Sequence, residues 1–229
     1  MVRRSGNRKA IVTIVAVIAA LVLAYWGYGS IRKYSTQRTT LSLLADSSLR
    51  LREALNIEAG PPPADAMATI RKLEEHAEDV DAHLQKLRGM DAFLNLTLFD
   101  DSDSYVLSVR ELLRKQASIH RQRVLLAASQ QALLDHRLRG NRRSPTWITE
   151  AVRAKDRFEK DYRDYRNADD AFELQLKLLP ASQKRIAPHV APAVLIEESV
   201  IAEARKQALE SSQRTADEAG KTRKLASLR

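Results

Sequence analysis

SPTWITEAVRAKDRFEKDYRDYRNADDAFELQLKLLP, residues 144–180, is the stretch whose periodicity decides the fold. Ile148, Ala151, Lys155, Phe158, Tyr162, Tyr165, Asp169, Phe172, Leu176 and Leu179 follow at alternating steps of three and four, which lines one face of an α-helix with a heptad stripe. Ser144 suits the N-cap, Pro145 suits the first helical position where a missing N–H costs nothing, and Pro180 reads as the stop. Lys155 and Asp169 interrupt the stripe. A cation and an anion at core positions are costly inside a closed bundle, so they predict a partly wet seam, with a homodimer as the expected partner.

The preceding segments carry the same period. A helix is expected to start after Asp100-Asp101-Ser102-Asp103, whose side chains can accept from free N–H groups, and to run to Arg139 with Gly140 as its C-terminal cap. Before it, a stripe of Ala66, Ile70, Leu73, Ala77, Val80, Leu84, Leu87, Asp91, Leu94 and Leu98 predicts a helix from near Ala64, loosened at Gly89. Leu41, Leu44, Leu51 and Leu55 predict another over 36–57, ended by Gly60-Pro61-Pro62-Pro63. No useful length alternates with period two, so no sheet is expected. The expectation is an all-α fold, an elongated up-down four-helix bundle over 36–180. Residues 181–193, with Pro188 and Pro192, read as a connector. Residues 194–229 read as a polar, Ala-rich, charged helix without an obvious packing stripe, needing a partner to order it.

Upstream of the bundle, residues 10–31 contain no charge, and their length suits a helix crossing a hydrocarbon core of about 30 Å. Tyr25, Trp26 and Tyr28 stand at the far end of this run as expected headgroup-level anchors. Val22-Leu23-Ala24 admits the rival reading of a cleaved signal peptide, but the run exceeds the usual apolar region of one. Arg3, Arg4, Arg8 and Lys9 outweigh Arg32, Lys33 and Arg38, so residues 1–9 are expected to form a cytoplasmic tail. A single-pass protein with its C-terminal domain outside the cytoplasm follows from that orientation, and a bacterial inner membrane with that domain in the periplasm is its expected place.

DAFLNLTL (residues 91–98), DSYVLSVREL (103–112), RFEKDYRDYRNA (157–168) and LKLLP (176–180) together resemble the double all-helical ligand-binding domain of bacterial sensor histidine kinases. The resemblance covers about residues 91–180 and implies a helical extracytoplasmic sensing or docking domain. These 229 residues hold neither a second span nor a kinase module. The resemblance therefore implies a domain that acts through another membrane protein.

Chemistry has little to work with. The absence of Cys excludes a disulfide framework, thiolate metal sites and a cysteine nucleophile, and seven scattered Gly form no phosphate-cradling loop beside His136. No hydrolase or zincin motif is present, so no enzyme and no cofactor are expected. His76, Asp79 and His83 share one helical face at i, i+3 and i+7, a spacing with which two imidazoles and a carboxylate can hold a divalent metal, although acidic neighbours also suit a solvated face. Net charge is +9, concentrated between Arg110 and Arg143, while residues 64–91 are acidic. That asymmetry suits antiparallel neighbours. It also marks Arg137, Arg139, Arg142 and Arg143, at the turn before residue 144, as a docking site for an anionic ligand or acidic partner. Neither an aromatic stacking surface nor a helix-turn-helix signature is present, so nucleic acid is not an expected partner. The expected function is a membrane-anchored binding domain that senses a ligand or a cell-envelope protein; the alternative is a structural tether in an envelope complex.

Overall fold

The computed structural model describes residues 5–57, 65–90, 96–140 and 144–227, with the backbone alone described at 5–16, 18–26 and 139. Among these residues all regular structure is helical: α1 (Ser5–Leu55), α2 (Ala66–Arg88), α3 (Leu96–Arg139), α4 (Trp147–Ile186) and α5 (Glu198–Ser227), with short 3-10 turns at Ala187–His189 and Pro192–Val194. The long α3–α4 hairpin is the spine, and its two helices make the most extensive contact in the molecule. At 1.5 Å per residue α3 is about 66 Å long and α4 about 60 Å.

One half of this hairpin completes a four-helix bundle with α2 and the last turns of α1. Leu44, Leu51, Leu73, Leu84, Leu112, Tyr105 and Leu176 are its fully buried centre. Ser48 Oγ meets Tyr105 Oη at 2.8 Å, and Gln116 Nε2 donates to the Ala54 carbonyl at 2.7 Å, so α1 runs parallel to α3. Asp81 accepts from Arg110 and Asp103 from Arg88, so α2 runs antiparallel to α3. The acidic α2 and basic α3 thus meet in ion pairs, Asp81 with Arg110 and Glu74 with Arg121, as their sequences suggest.

Several boundaries differ from expectation, each for a tertiary reason. The helix expected from Ala64 to Leu98 ends at Arg88, where the Gly89 N–H closes on the Gln85 carbonyl at 3.0 Å. Asp91 and Leu94 lie outside the described residues, and Leu98 belongs to α3. Asp100-Asp101-Ser102-Asp103 is no cap, because α3 begins earlier at Leu96. Asp103 instead takes Arg88 in a bidentate pair at 2.7 and 3.0 Å, Asp101 takes Arg185 at 3.1 Å, and the buried Ser102 donates to the Leu98 carbonyl. α4 starts at Trp147 with Thr146 before it, while Ser144 Oγ lies 2.9 Å from Thr146 Oγ1. Pro180 does not stop α4. Its ring faces solvent while Leu179, Ser182, Gln183 and Ile186 are buried, and this burial offsets a proline cost of about 3 kcal/mol.

The connector expected over 181–193 is therefore helical as far as Ile186. The C-terminal segment also differs from expectation, because α5 packs on its own chain. It follows the line of α1 past the point where α1 ends: Arg52 Nη2 donates to the Leu195 carbonyl at 3.1 Å, and Ile201, Ala204 and Ala208 then bury against the hairpin. Farther along, Arg166 donates to Ser212 at 2.6 Å and Arg223 pairs with Glu159. The far half of the hairpin is thus a three-helix assembly. Asp169 faces this α5 seam within the chain, and Lys155 is exposed at its end.

Candidate functional site

The far end of the three-helix half holds a groove of about 400 Å³. Leu133 and Arg137 come from α3, Lys155, Phe158 and Glu159 from α4, and Arg223, Lys224, Ala226 and Ser227 from α5. Its floor is apolar, because Leu133, Phe158 and Ala226 are the buried residues of the three converging stripes. Its rim is basic, because α3 and α5 end there with cations in or near their last turns.

The charges on the rim are not equivalent. Glu159 accepts from Arg223 in a bidentate pair at 2.8 and 2.7 Å, which holds its carboxyl below the usual range, and the guanidinium also lies 4.7 Å from the Tyr162 ring centre. That pair is internally neutral. Arg137, Lys155 and Lys224 have no ion-pair partner within 4 Å among the described residues, which leaves the groove with a surplus of positive charge. Arg137 is held by Trp147, whose ring centre is 5.7 Å from its guanidinium. Trp147 is in turn stacked on His136 at 5.4 Å, and His136 Nε2 lies 3.0 Å from the Trp147 carbonyl oxygen. Gly140 allows this corner to close: a Cβ there would run into the His136 carbonyl and stand 2.7 Å from Trp147 Nε1.

Of the basic residues expected to dock an anion, the structure places Arg137 in this groove. The Arg139 side chain and residues Arg142 and Arg143 lie outside the described residues. Sequence reasoning missed Lys224 and Arg223, because α5 has no hydropathy stripe to indicate which face meets the hairpin. Lys155 was visible as a break in the α4 stripe and lines the groove.

The suggested metal trio is occupied by partners on α1. His76 Nε2 lies 3.3 Å from Glu53 Oε2, His83 Nδ1 lies 3.0 Å from Ser47 Oγ, and Asp79 pairs with Arg50 at 3.1 Å. Burial lowers both histidines from their ordinary value. Among the described residues no group of three or more His, Cys, Asp or Glu is arranged to hold a metal ion.

Among the described residues no helix is long and apolar enough to cross a membrane. Residues 10–26 of the apolar run are helical within α1, but at all of them except Val17 the backbone alone is described, and the Tyr25 and Trp26 side chains lie outside the described residues. Tyr28 is 66% exposed, and Ile31 and Tyr34 are exposed with it. No family model matches the chain, and no curated protein or solved structure is similar to it.

Proposed function

We propose that this chain is a single-pass membrane protein of the bacterial inner membrane whose helical domain lies in the periplasm and binds an anionic ligand or an acidic partner at its far end. It acts through another membrane protein. The observation that carries this reading is the groove itself, which has a volume in the range of ligand sites, an apolar floor and three cations with no ion-pair partner within 4 Å among the described residues. The charge-free run over 10–31 supports the anchor. The exposed Tyr28, Ile31 and Tyr34 suit a segment leaving the headgroup region. Because α1 passes from the run into the bundle, the groove stands far beyond the Debye length of about 8 Å from any membrane at the chain's other end, so lipid headgroups there do not compete for it.

A structural tether is the second reading, favoured by the length of the α3–α4 hairpin. Ligand binding separates the two. Titration of the full chain in neutral detergent with hexa-aspartate is expected to give saturable binding, weakened about tenfold, or 1.4 kcal/mol, in a Lys155→Glu, Lys224→Glu double variant. Identical isotherms for both proteins would remove the groove from the mechanism and leave the tether. With no native Cys to give background, Ile148→Cys, at a position 70% exposed, is expected to react with a membrane-impermeant maleimide in whole cells. Reaction only after lysis reverses the orientation.

A further inference from the structure

Where α1 ends and α5 begins, the interior is polar. Gln116, His120 and Arg123 of α3, Asp169 of α4 and Ser211 and Ser212 of α5 are each less than a tenth exposed. Arg123 is the unusual member. Its Nη2 donates to Ser211 Oγ and its guanidinium lies 5.9 Å from the Tyr165 ring centre, yet Nε and Nη1 are buried without an acceptor. No carboxylate lies within 4 Å of it among the described residues. Asp169, across the same space, is instead hydrogen-bonded to Ser212 and 3.8 Å from Arg166.

A guanidinium taken out of water needs either a counter-charge or a full set of acceptors, because desolvation penalises the bare cation heavily. His120 cannot supply the charge: it is a base, and burial together with the neighbouring Arg123 lowers it to about 4, so it is neutral at pH 7. Asp169 faces the same space, but its carboxyl is shared among Ser212, Arg166 and the field of Arg123, and it does not reach the Arg123 Nε–H or Nη1–H as an acceptor. Beside Arg123 lies a cavity of about 30 Å³, lined by Gln116, His120 and Asp169 and closed on its apolar side by Leu55, Phe172 and Ala204. It has room for a particle of about water size, too little for sulfate or an organic acid.

We propose that this cavity is a binding site for a halide-sized monovalent anion, held by the free Nε–H and Nη1–H donors of Arg123. Charge-assisted hydrogen bonds to the anion fill the two donor positions that the protein leaves without an acceptor. The bound anion also steadies the α5 seam, since the same guanidinium holds Ser211 and the next contact along is Arg166 with Ser212. Because α5 carries Arg223 and Lys224, halide occupancy favours an assembled far groove, but the anion site stands on Arg123 alone and does not depend on what that groove binds.

The test uses the full chain in neutral detergent at pH 7 and constant ionic strength, with sodium chloride or bromide exchanged for sodium gluconate, whose anion exceeds the cavity. Chloride is expected to raise Tm saturably and, at ten times its Kd, to slow amide exchange along α5 about tenfold relative to gluconate. Arg123→Gln is expected to abolish the difference between the salts, while Arg110→Gln, on the α2–α3 surface, keeps it. Should Arg123→Gln fail to fold, the native protein still decides: protein-dependent broadening of the chloride-35 resonance that bromide displaces supports the site. Equal Tm and equal α5 exchange in chloride and gluconate, without displaceable broadening, would overturn it and leave water in the cavity.

Discussion

His120 makes the stability of this protein depend on pH with a sign and a size that follow from its place in the core. Burial, with Arg123 beside it, lowers its pKa from 6.5 to about 4. Between those values the unfolded chain takes up a proton that the native protein refuses, so stability is complete above pH 6.5 and is lost as the pH falls. At about 1.4 kcal/mol per pH unit, the loss between neutrality and pH 4 amounts to about 3 kcal/mol. Other groups titrate in the same window. His76 and His83 are also lowered by burial and act in the same direction, while Asp169 is raised, binds its proton more readily in the native state and acts in the opposite direction. A His120→Gln variant isolates the term, because those groups remain in both proteins. Urea unfolding of the full chain in detergent from pH 8 to pH 4 is the assay. The native protein is expected to lose about 3 kcal/mol relative to the variant across that range. Two parallel stability curves, or an imidazole of His120 that titrates near 6.5 by NMR, would refute the burial argument.

Three further substitutions test the packing. Gly140→Ala places a methyl against the His136 carbonyl and Trp147 Nε1, and a loss of about 1–3 kcal/mol is expected in thermal unfolding, with reduced Trp147 stacking by near-UV circular dichroism. Leu176→Ala empties a site with no exposure and is expected to cost about 2–5 kcal/mol, whereas Leu178→Ala, at 51% exposure two residues on, is expected to change stability by no more than about 0.5 kcal/mol in the same denaturant titration.

How much of this was legible in the sequence differs from helix to helix. The α4 stripe was readable because Phe158, Tyr165, Phe172, Leu176 and Leu179 are large and apolar, and all five are buried. α2 was readable for the same reason as far as Leu87, but a stripe cannot distinguish one helix from two that happen to keep phase, so Gly89 read as a loosening rather than as the end of the helix. The acidic run at 100–103 satisfied every local rule for a cap, and long-range pairing with Arg88 and Arg185 overrode them. α5 was legible as a helix, but its packing on the hairpin was not. Its buried face, Ile201, Ala204, Ala208, Ser211, Ser212, Ala219, Thr222 and Ala226, repeats at near-helical steps in side-chain size rather than in hydropathy, because small residues let it lie close on the hairpin. Of the candidate site, Arg137 was legible from charge alone. Lys224 and Arg223 required that register to be known.

The unbroken course of α1 also has mechanical meaning. Its helical backbone runs from Ser5 to Leu55, about 77 Å, without an interior proline. Between residues 27 and 39 its side chains are largely exposed, and from Thr40 it is clamped in the core by Ser47, Ser48 and Leu51. Such a rod stays helical through Gly27, Gly29 and Ser30 and has no proline joint at which twist could dissipate. A turn or axial slide imposed at the apolar end must therefore reach the α2–α3 interface, and rearrangement around Leu55 must return by the same shaft. Inserting two residues at 33 would leave the bundle intact and still rotate one end against the other by about 200°, at 3.6 residues per turn.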